Sequence, residues 1–130
     1  MKTLSTALTA LALLFTVQGS ANAQQIIGSY VAFIGEDDLY NSRGSRLSQP
    51  WQVLRQDRAN FHRFGIAQRG DEGDPFFASA RNRALMERMV RRGYIEPSAA
   101  RRIVRGGATV FVRIYDSGNG GDYVRVTVTR

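Results

Sequence analysis

The chain has 130 residues, a formal charge of +7 and no cysteine. One domain is therefore expected, with a core held by packing alone; disulfides, thiolate metal sites and thiol nucleophiles are excluded. Lys2 is the only lysine, so 17 arginines face 11 carboxylates, and guanidinium carries nearly all of the positive charge.

Residues 1–23 read as a secretory signal peptide. Met1-Lys2 is a short basic start, Ala7 to Val17 is an uncharged and mostly apolar run, and Ala21 and Ala23 stand at the positions of a small-residue cleavage site. The apolar run is about half of the roughly 20 residues a bilayer span needs, which argues against a retained membrane helix. No cysteine follows the cleavage site for lipid attachment. The expected product is an exported, soluble, periplasmic or secreted chain beginning at Gln24, a single domain over residues 24–130.

Ile26 to Ile34 is β-branched and aromatic, as a strand requires. The polar residues Glu36 to Asp38 and Asn41 to Gly44 form a loop. A helix is expected from Ser48, with Pro50 in its first turn, to Phe64, where Gly65 supplies a left-handed stop. After the polar loop Ala67 to Gly73, Asp74-Pro75 is a cap followed by a preset φ; the helix it opens runs to Arg92 and ends at Gly93. Glu96-Pro97 opens a third helix, closed by Gly106-Gly107. In Ala108 to Tyr115 and Tyr123 to Thr129, apolar and polar residues alternate, and the turn-rich residues from Asp116 to Asp122 join them as a hairpin. The order β, α, α, α, β, β predicts an α+β fold: a small, mainly antiparallel sheet with about three helices on one face.

Three groups of residues are candidates for function. On the helix after Ser48, Asp57 and Arg58 lie along the apolar stripe of Leu54 and Phe61, and Asn82 lies on the stripe of the next helix. Charges in such places need partners. One reading gathers Asp57, Asn60, Asn82 and His62, the only histidine, into an acid–base site of a small secreted hydrolase, with Asp57 orienting His62. The other makes Asp57, Arg58 and Asn82 a structural polar network. No nucleophile or metal motif accompanies the histidine, which favours the structural reading.

The acidic loops Glu36 to Asp38 and Asp71 to Asp74 lack the alternating ligand spacing of a calcium site, so neither metal nor cofactor is expected. The third group is basic. Arg81 to Arg105 holds eight arginines against Glu87 and Glu96, and the rest of the chain after residue 23 balances. Arg81, Arg88 and Arg92 are spaced along one helix side, as are Arg101 and Arg105. Guanidinium forks bind phosphate and carboxylate in paired contacts. Because export removes nucleic acid as a partner, the expected targets are an anionic envelope polymer, lipid headgroups or an acidic protein. The sequence thus predicts a non-catalytic binding or accessory module, with the hydrolase and a ligand-free interaction protein as alternatives.

Overall fold

A computed structural model describes residues 24–118 and 121–129. The expected signal peptide lies outside the described residues, as does the Asn119-Gly120 part of the expected hairpin turn.

Over the described residues the fold is α+β, built on a four-stranded mixed sheet and four helices. Strand β1 (Gln25–Phe33) pairs antiparallel with β3 (Thr109–Asp116), and β3 pairs antiparallel with β4 (Tyr123–Val128). The sheet order is β1-β3-β4-β2. Its last member, β2 (Tyr94–Ile95), runs parallel to β4, a pairing absent from the order the sequence predicts. Gly93 makes this pairing possible: a Cβ there would collide with the Val124 carbonyl oxygen.

Helix α1 (Pro50–Ala59) continues through one π-type turn, Asn60–Phe64, and stops at Gly65, whose φ of +66° suits a residue without a Cβ. Its start is secured by Gln52, whose Oε1 accepts from the Ser48 and Gln49 amides at 3.1 Å each. The single helix expected from Asp74 to Arg92 is instead a turn followed by α2 (Ala80–Arg83) and α3 (Met86–Arg92). Asp74 does accept from the Phe77 amide, at 2.6 Å. Yet the carbonyls that a helix would use are taken by side chains. Arg83 Nη1 donates to Phe77 O and Ala78 O, and Asn82 Nδ2 donates to Phe76 O. Helix α4 (Pro97–Arg105) begins with its proline as expected.

The inward residues of the strands (Tyr30, Ala32, Val110, Val112, Ile114, Val124 and Val126) share one core with Val53, Leu54, Phe77, Met86, Met89 and Ile103 of the helical layer. Each of the large apolar side chains contributes about 1.5–3 kcal/mol by leaving water. Ser29, Arg125 and Thr127, at the alternate positions, are exposed. The outer edge of β1 is covered by the loop that follows Gly65: Glu72 N donates to Val31 O, and Asp71 Oδ1 accepts from Phe33 N. Such cover protects an edge strand from pairing with another chain.

Candidate functional site

The apolar stripe of α1 carries Asp57 and Arg58 into the interior, where they are 1 % and 0 % exposed. Arg58 Nε donates to Asp57 Oδ2 at 2.7 Å, and its Nη1 donates to Asp74 Oδ1 at 2.9 Å and to Glu72 O at 2.8 Å. The guanidinium lies 3.9 Å from the centre of the Tyr30 ring and 5.0 Å from that of Phe61. This stacking suits a planar, weakly hydrated cation. His62 completes the centre from the π-type turn, with Nε2 3.1 Å from Asp74 Oδ1.

Among the described residues no hydrogen bond joins His62 to Asp57, so the orientation expected of Asp57 falls to Asp74. Asn82 secures the turn at Phe76 and does not bond to Asp57 or Arg58. Asn60 belongs to a neighbouring network, where its Nδ2 donates to Asp38 Oδ1 at 2.9 Å and to Asp37 O. Asp38 Oδ2 in turn accepts from the Gly35 amide.

Desolvation dominates at the carboxyl groups of both networks, whereas at Arg58 the acidic partners outweigh it and hold the guanidinium charged. Burial pushes the Asp57 carboxyl up to about 7, against the opposing pull of Arg58. Burial likewise raises Asp38, partly offset by its bond from Asn60, and lifts the Tyr30 hydroxyl well above its usual value. Asp57 Oδ1, Arg58 Nη2 and the Tyr30 hydroxyl are buried without a partner among the described residues. Asp57, Arg58 and Asp74 are each at most 5 % exposed. The three side chains form an internal ion-pair centre.

The arginines of residues 81–105 divide sharply. Arg83 is buried on the Phe77 and Ala78 carbonyls, Arg102 donates to Thr129 O, and Arg91 pairs with Glu87 at 2.6 Å. Arg81, Arg88, Arg92, Arg101 and Arg105 are exposed and make no hydrogen bond or salt bridge to another described residue. Arg88 and Arg92 line a shallow groove with Ala84, Glu87 and Arg91. Arg101 and Arg105 line a second, with Arg46, Ser48, Pro50 and Val104. Arg81 lines neither groove, and the break between α2 and α3 interrupts the single helix side expected to carry all three of Arg81, Arg88 and Arg92.

Among the described residues no group of three or more His, Asp or Glu side chains is placed to hold a metal ion, and no helix is long and apolar enough to cross a membrane. Compared with protein-family models, curated proteins and solved structures, the chain matches none.

Proposed function

We propose that the protein is an exported, non-catalytic binding module, a single domain from Gln24 onward. In this reading it docks an anionic envelope component or an acidic partner through Arg81, Arg88, Arg92, Arg101 and Arg105. One observation carries the proposal: within the basic segment Arg83, Arg91 and Arg102 have partners among the described residues, whereas the five named arginines are exposed and have none there. An exposed guanidinium with no internal acceptor keeps its donors for an external one. The Asp57–Arg58–Asp74–His62 centre holds α1 to the loop before α2 and takes no part in recognition.

The test compares retention on anionic lipid vesicles and isolated wall polymers before and after Arg88, Arg92 and Arg101 are changed together to Ser. Retention should fall sharply in the variant. It should also weaken with added salt in the unaltered protein, because exposed charges are screened beyond about 10 Å at 0.1 M. Equal retention of the two forms would end the proposal.

A further inference from the structure

The face of the sheet opposite the shared core carries a second concentration of positive charge. Arg113 on β3 stands directly across from Arg125 on β4 in the antiparallel ladder. Like charges in that relation repel, and among the described strand residues no carboxylate shares their face: its other positions are Ile26, Ser29, Val31, Phe33, Tyr94, Thr109, Phe111, Tyr115, Tyr123 and Thr127. Neither arginine forms a salt bridge with a described residue, and Arg113 Nε is buried with no acceptor among the described residues. A strand face does not gain stability from such a pair. Its guanidinium groups are nevertheless held in place. Tyr115 and Tyr123 are stacked parallel, 5.0 Å apart, and Arg125 lies over both rings at 5.2 and 5.8 Å; Arg113 lies over Phe111 at 5.5 Å.

Arg125 also opens onto a cleft of about 380 Å³ between the end of α3, β2 and the start of β4, a size within the range of small-ligand sites. Arg92 enters the same cleft from the last turn of α3 and lies against Gly121. The exposed ring of Tyr94 forms another part of its wall. Helix and sheet thus bring to one concavity two guanidinium groups without acceptors among the described residues, with the third, Arg113, alongside on the ladder.

We infer that this cleft binds a phosphate-type oxyanion, held by the forks of Arg92 and Arg125, with Arg113 adding a third positive charge. A dianion suits the site better than a carboxylate, because it matches the density of charge that the fold leaves uncompensated. The site goes beyond the helical surface proposed above and shares only Arg92 with it.

The probe is inorganic phosphate, titrated at constant ionic strength while the side-chain Nε–Hε signals of the arginines are followed by NMR. The Arg92 and Arg125 signals should shift together and saturate. Arg125→Gln should weaken phosphate binding about tenfold or more, the scale of a lost hydrogen bond to a charged group. Arg125→Lys, which keeps the charge but loses the fork, should fall between, and Arg113→Gln should weaken binding less than Arg125→Gln. The double change of Arg88 and Arg101 to Ser should leave phosphate affinity unaltered, which separates this site from the helical one. Unmoved Arg125 signals, or unchanged affinity in Arg125→Gln, would overturn the inference. Vesicles of phosphatidic acid in phosphatidylcholine identify the source. If Arg125→Gln weakens both vesicle and phosphate binding, the site takes a lipid headgroup; if it weakens phosphate binding alone, the site takes a soluble phosphate.

Discussion

Arg58 and Arg88 carry the same group into opposite surroundings. Arg58 has given up water and has two carboxylates, a carbonyl and an aromatic face in return. Arg88 has kept its water and has no partner inside the described molecule. Removing a buried ion leaves its partners desolvated and uncompensated, whereas removing a solvated one alters almost nothing in the folded chain. The two regions should therefore separate stability from binding, and each substitution below tests how clean that separation is.

The largest effect should come from Arg58→Met, which strands Asp57 and Asp74 without their shared cation. A loss of about 3–5 kcal/mol is expected, read from urea denaturation. A loss below about 1 kcal/mol would mean that the centre does not hold the fold. Asp74→Ala should cost slightly less, about 2–4 kcal/mol, because Arg58 keeps Asp57 while the Phe77 amide and His62 lose an acceptor.

Asp57 also gives the interior a signature in pH. It titrates near 7 in the folded chain and near 4 when unfolded. Between those values the folded chain holds a proton that the unfolded chain has released. The contribution of Asp57 is thus fully present below about pH 4 and is lost as the pH rises through about 7, at up to about 1.4 kcal/mol per pH unit. Asp57→Asn should flatten that part of the profile in urea midpoints taken from pH 4 to 8; parallel profiles for the two proteins would refute the assignment.

What the sequence made legible follows from how local each signal is. Asp57 and Arg58 betray themselves because two charges on an apolar helical stripe must be partnered, and that stripe is visible at short spacing. Asp74 is visible only as a cap. Its bond to Arg58 depends on the loop folding back along β1, which no short-range pattern encodes. The strand β2 has two residues, too few to show alternation, and exists because Gly93 lets the chain approach Val124. The break before α2 escaped because Arg83 looks like another surface arginine, yet its guanidinium occupies the carbonyls that a helix would need. Arg113 and Arg125 each read as the polar member of an alternating strand. Their opposition is a matter of register, which alternation alone does not determine.

His62 stands between the two regions, its side chain 12 % exposed and bonded to the buried Asp74. His62→Ala should cost about 1 kcal/mol, the loss of one hydrogen bond at the margin of the core. It should leave binding to anionic vesicles unchanged. Loss of a hydrolytic activity in this variant, with the melting temperature nearly intact, would return the histidine to a catalytic role.

The smallest effect on stability should come from the residues proposed to matter most for binding. Arg88, Arg92 and Arg101 make no hydrogen bond or salt bridge to a described residue, so each change to Ser should move the unfolding free energy by no more than about 0.5 kcal/mol. Their combined removal should even relieve some repulsion at low ionic strength, where a screening length of about 30 Å lets neighbouring guanidinium groups sense one another. A midpoint of unfolding that is unchanged or slightly raised, together with lost retention on anionic surfaces, is what a surface kept for an external partner predicts. A marked fall in stability would show that these arginines support the fold instead, and the contrast with Arg58 would then disappear.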